Sequence, residues 1–222
     1  MQITYILLSV ETASLIALLW NKNYQNKKRS LIFKSLTSLL FFYIAVHSFL
    51  FSGGQEIFAV FIITALLFCV IGDILICFIK RKFFFKLAGT SFFIGHVFYC
   101  IGFFYATRTS MIEIVILIVL WLLFPLSVKI SKVALKKNYF LVFAYFILLS
   151  TMCVKSFSFL FYQSFGLSNA MMTAAGGLLF YISDIIIFFE KFQKETRRKL
   201  FIPNLITYYV GQTLIALSLL FI

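Results

Sequence analysis

Long apolar runs separated by short polar joints give the chain its pattern. Runs of about 20 apolar residues, the length that crosses a bilayer core as a helix, recur eight times, at roughly 3–20, 31–51, 57–79, 83–106, 111–130, 138–158, 168–190 and 202–222. They are too long and too uniform for the alternating segments of about ten residues that build a membrane β-barrel. The pattern therefore predicts an all-α polytopic membrane protein, a bundle of eight transmembrane helices. Little sequence is left over, so residues 1–222 are expected to form a single integral membrane domain. The first run has no basic leading segment, carries Glu11 at mid-span and is followed at once by further runs, which predicts a retained helix rather than a secretory signal.

Composition places the chain in the same class: 63% hydrophobic and 12% charged residues, with a mean hydropathy of +1.04, lie outside the range of a water-soluble domain. The net charge of +13 is concentrated at alternate joints. Lys22, Lys27, Lys28, Arg29 and Lys34 mark the first joint and Lys80, Arg81, Lys82 and Lys86 the third. Lys129, Lys132, Lys136 and Lys137 mark the fifth, and Lys191, Lys194, Arg197, Arg198 and Lys199 the seventh. Only Arg108 and Lys155 fall elsewhere. The positive-inside rule then predicts cytoplasmic odd joints and both termini outside, in what is expected to be a bacterial inner membrane. A basic rim facing anionic headgroups accounts for the charge, so no nucleic acid is expected as a partner, and no protein partner either. The four cysteines, Cys69, Cys77, Cys100 and Cys153, lie inside apolar runs without a C-x-x-C pair or a metal-ligand spacing, and read as small hydrophobes. No metal or cofactor is expected.

Two carboxylates break this apolar background. A charge near the middle of a membrane helix costs about 2.5 to 3.5 kcal/mol on insertion scales, so each calls for a reason. The stretches "IGDILI" around Asp73 and "ISDIII" around Asp184 align, and each aspartate is followed seven residues later by a lysine, Lys80 or Lys191. At 1.5 Å per residue both sit about 10 Å below the basic rim. The likeness continues into the next helices, with Gly95-His96 against Gly211-Gln212; the offsets are 111 and 116 residues, close to half the chain. Two four-helix halves related by a parallel repeat would produce this, and such folds place functional groups between the halves.

Further polar groups reach a similar level: Glu11, Lys34, His96, Tyr145, and on one face of the last helix Tyr208 and Gln212, at i and i+4. With the aspartates they are expected to line one wet cavity open to the cytoplasm, since polar side chains in lipid turn inward. Plainer readings stand beside this one. His96 and Gln212 suit simple interhelical hydrogen bonds, Lys34 suits snorkelling, and His47 reads as structural. Glu113, Glu190 and Glu195 fall at helix ends, where solvent or headgroups suffice, and "AAGG" (174–177) reads as close helix packing.

Two carboxyl groups close together in a low-dielectric site cannot both ionise cheaply, so one keeps a proton while the other stays charged. Such a pair offers an acid and a base at neutral pH, fit for hydrolysis or for proton-coupled transport.

The ordered set "FKSLTSLLFF", "IGDILI", "GHVFYCIGFF", "FYISDIII" and "TYYVGQTLIAL" resembles the YhhN-like lysoplasmalogenase family of eight-helix membrane proteins. In that family the lysine of the second helix is often followed by proline, whereas here Ser35 follows Lys34. The resemblance implies hydrolysis of the vinyl ether bond of a lysoplasmalogen to a fatty aldehyde and a glycerophospho-base. The implied partners are a lysophospholipid substrate, water and membrane lipid. Asp73 and Asp184 would be the catalytic pair, with Lys34, His96, Tyr145, Tyr208, Gln212 and Glu11 binding or supporting. Two other classes compete: a small proton-coupled transporter using the same pair, and an intramembrane aspartyl protease. The unbroken third and seventh runs count against the first, and the missing Tyr-Asp context against the second.

Overall fold

Each apolar run forms one helix in the computed structural model, which describes residues 2–23, 27–78, 82–130, 135, 139–192 and 200–222. They are α1 (Gln2–Asn23), α2 (Lys27–Ser52), α3 (Glu56–Ile76), α4 (Lys82–Ala106), α5 (Met111–Ile130), α6 (Tyr139–Tyr162), α7 (Gly166–Phe192) and α8 (Phe201–Ser218), the last closing in a 3-10 turn, Leu219–Phe221. All eight are long and apolar enough to cross a membrane, and the described residues include no strand. This is an integral membrane protein of eight helices. Lys80, Arg81, Lys132, Lys136, Lys137, Lys194, Glu195, Arg197, Arg198 and Lys199 lie outside the described residues.

Boundaries differ from the sequence reading where local bonding decides them. α3 stops at Ile76 because its last turn tightens, with the Cys77 N–H donating to Ile74 O at 3.2 Å and the Phe78 N–H to Leu75 O at 3.0 Å. α2 runs unbroken through Lys34 and Ser35, and α5 continues through Pro125.

Residues spaced three, four or seven apart give the inner helices their buried stripe. On α3 it runs Phe58, Ile62, Ala65, Cys69 and Asp73; on α8 and its closing turn, Leu205, Tyr208, Gln212, Ile215 and Leu219. On α7 it is Ala170, Thr173, Phe180 and Asp184. Both aspartates thus fall on faces that their own helices already turn inward. α5 differs, showing most of its length outward and packing chiefly on α6.

Packing follows the repeat. α3 lies against α4 as α7 lies against α8; α2 packs on α8 and, correspondingly, α6 on α4. The close approaches obey the same offsets. A Cβ on Gly95 would meet Ala65 O at 3.2 Å and Cys69 Sγ at 3.3 Å. A Cβ on Gly211 would meet Gly176 O and Phe180 N, both at 3.0 Å. Residues 65 and 69 stand 111 before 176 and 180, and residue 95 stands 116 before 211. The two four-helix halves are therefore visible as matching contacts, and they need glycine at matching crossings.

Candidate active site between the halves

Asp73 is held from three sides. Oδ2 accepts hydrogen bonds from Ser38 Oγ of α2 and Tyr208 OH of α8, both at 2.7 Å, and Lys34 Nζ lies 3.2 Å from Oδ1. The aspartate is buried, whereas the Lys34 side chain keeps 18% of its surface. Tyr209 joins the cluster, its hydroxyl 3.3 Å from Ser38 Oγ and from Lys34 O. Gly72, just before the aspartate, leaves room for the Phe92 ring of α4, which a Cβ would strike.

Asp184 has different neighbours. Tyr145 OH of α6 donates to Oδ2 at 2.5 Å, and His96 Nε2 of α4 faces the same oxygen at 3.4 Å. That contact is not a hydrogen bond, and the buried Nε2 makes none. The opposite ring nitrogen, Nδ1, stands 2.8 Å from Phe92 O; a carbonyl only accepts, so Nδ1 carries hydrogen. Beside Asp184, Ser183 is fixed by Asn204, whose Nδ2 donates to Ser183 O at 2.7 Å.

Phe180 stands between the two clusters, its ring centroid 4.7 Å from that of His96 and 5.6 Å from that of Tyr208. The carboxyls are within electrostatic reach of each other, and the Cys69 thiol is within reach of both.

The remaining residues singled out from sequence go elsewhere. Gln212 accepts from Tyr99 OH at 2.6 Å and donates weakly to Cys69 Sγ at 3.6 Å. It braces α4 and α3 beneath the carboxyls rather than touching either one. Glu11 accepts from Thr213 Oγ1 at 2.5 Å in a separate slot of about 120 Å³ between α1 and α8. The single wet cavity expected from sequence is thus two hydrogen-bonded clusters and a third, detached carboxyl. Glu113 corrects the reading of a solvated helix end. It is buried and paired with Lys155 at 3.1 Å, and that lysine also donates to Arg108 O at 2.8 Å and lies 5.0 Å from the Phe104 ring centroid.

Ser38, Tyr209 and Phe180 were missed in sequence, and Cys69 was read there only as a small hydrophobe, because none of these residue types stands out in helices this rich in apolar and aromatic residues. One usable signal existed: Ser38 follows Lys34 by four residues, so both lie on one helix face. Among the described residues no group of three or more His, Cys, Asp or Glu is arranged to hold a metal.

No curated protein and no solved structure matches the chain. The YhhN family model matches residues 29–219, a segment that holds both aspartates and every partner described for them. By that match, covering most of its length, the chain belongs to the YhhN family.

Proposed function

We propose that the chain is a membrane lipid hydrolase, a lysoplasmalogenase that cleaves the vinyl ether bond of a lysoplasmalogen by acid/base catalysis between Asp73 and Asp184. One observation carries the reading: two carboxyls from equivalent helices of a YhhN chain are both buried, within electrostatic reach of each other, each with its own polar partners. Enol ether hydrolysis can use such a pair. One carboxyl gives its proton to the vinyl carbon remote from oxygen, the π electrons forming the new C–H bond and leaving an oxocarbenium ion. The ionised carboxyl stabilises that cation and takes a proton from the water that adds to it. The resulting hemiacetal then gives its hydroxyl proton to the carboxyl that began as the acid, while the other carboxyl passes its proton to the glycerol oxygen as the C–O bond breaks, giving the aldehyde and the glycerophospho-base. Overall one water is consumed, and the proton lent is returned.

Lys34 has the exposure to meet a phosphate while still contacting Asp73. The expected orientation, basic joints cytoplasmic and both termini outside a bacterial inner membrane, would open the site to the inner leaflet. The test is aldehyde release from lysoplasmalogen by purified protein in detergent. Wild type should turn over without any gradient, whereas a transporter would need sealed vesicles. Asp73→Asn and Asp184→Asn should each lower kcat by a factor of about 10² to 10⁴ while eluting as the folded protein. Undiminished activity in either variant removes the pair from the mechanism.

A further inference from the structure

The two halves surround the same aspartate with different company. Lys34 on α2 and Tyr145 on α6 are separated by the same 111 residues as Asp73 and Asp184, and each touches the aspartate of its own half. Where one half supplies a cation, the other supplies a neutral phenol. In the next helix His96 stands 116 residues before Gln212, and only the histidine faces an aspartate. We infer that the repeat has diverged to hold the two carboxyls in opposite protonation states: Asp73 ionised, Asp184 sharing the transferable proton with His96.

Donor counting supports this. Tyr208 OH gives its hydrogen to Asp73 Oδ2 and Lys34 places an ammonium at Oδ1. Ser38 adds a third donor, even though its one hydrogen can also turn to Lys34 O, 2.9 Å away. A carboxylate suits this surrounding, and a protonated acid would set hydrogen against hydrogen. At Asp184 the account reverses. Because Nδ1 of His96 is committed to Phe92 O, a neutral ring leaves the bare Nε2 only 3.4 Å from Oδ2. Two bare acceptors that close repel. A single proton on either atom turns the contact into attraction, and Tyr145 is already spent as a donor to the same oxygen. The groups surrounding this pair are Cys69 and Asp73 from α3, Tyr145 from α6, and Tyr208 from α8 behind Phe180; no Lys or Arg among the described residues forms an ion pair with Asp184. His96 is on this account a positioning residue that holds the proton at Asp184, and Asp184 is the acid of the proposed hydrolysis, on which the assignment of roles rests.

The proton can be observed without substrate. The chain has two histidines, His47 and His96, so ring-¹⁵N-histidine labelling in detergent gives two ring systems, and His47→Asn assigns them. His96 should show a protonated Nδ1 and an Nε2 displaced from the position of a bare imidazole nitrogen. Asp184→Asn should change the Nε2 signal; it should also remove either a carboxylic-acid C=O infrared band or, if the proton rests on the ring, the imidazolium signature. Asp73→Asn should leave both in place. A bare, undisplaced Nε2 in the wild-type protein overturns the inference, a result that needs neither aspartate variant to fold. So does an acid band that vanishes in Asp73→Asn and survives in Asp184→Asn. Since no lipid takes part, a protein that passes here but leaves lysoplasmalogen intact keeps its proton assignment and loses the proposed reaction.

Discussion

Lys155 and Glu113 show what a charge inside this bundle requires. The lysine side chain is fully buried, and it is tolerated because Glu113, the Arg108 carbonyl and the Phe104 ring surround its ammonium. Removing one member strands the other away from water, so Glu113→Gln or Lys155→Met should each cost about 3 to 5 kcal/mol, read as a lowered unfolding temperature in detergent. Replacing both together should cost less than the sum. Aldehyde release at permissive temperature should persist, because the pair lies apart from both aspartates. Sequence exposed the charged members of the candidate site well, since an ionisable group in an apolar run has few reasons to be there. It could not tell which groups meet. Glu113 looked like a helix-end carboxylate until α6 was placed beside it, and Gln212 looked like a partner of the carboxyls until Tyr99 claimed its oxygen.

At the scale of helices, the repeat is a matter of which backbones touch. Gly211 lets α8 lie on Gly176 and Phe180 of α7, and the obstructing atoms are backbone, which has nowhere to move. Gly211→Ala should therefore cost about 1 to 3 kcal/mol, and Gly95→Ala at the equivalent crossing should also destabilise. Gly89 supplies the control. Nothing lies within 4 Å of a Cβ there, so Gly89→Ala should be neutral or stabilising by up to about 1 kcal/mol. Thermal unfolding of the three variants in one detergent checks the set, and equal effects at all three would remove the packing explanation. Helix number and rough span were readable because a bilayer fixes length and polarity together. The end of α3 was not, because it depends on carbonyls closing a tight turn rather than on hydropathy. Motif alignment brought out the repeat in α3, α4, α7 and α8, whereas Lys34 and Tyr145 became counterparts only once both were seen against their aspartates.

For the whole molecule, the proposed orientation has a direct check. Ser164, exposed in the turn between α6 and α7, should face outward if the basic joints face the cytoplasm. Ser164→Cys should then react with a membrane-impermeant maleimide in intact cells; reaction only after permeabilisation reverses the orientation and moves the site to the other leaflet. The chemistry itself is best tested by mass spectrometry of the aldehyde released from lysoplasmalogen by the purified protein in D₂O. Protonation at carbon predicts one deuterium on the carbon next to the carbonyl, with product formed about 10²- to 10⁴-fold more slowly by Asp73→Asn or Asp184→Asn. Aldehyde without that deuterium, or no aldehyde from the wild-type protein, would contradict the account.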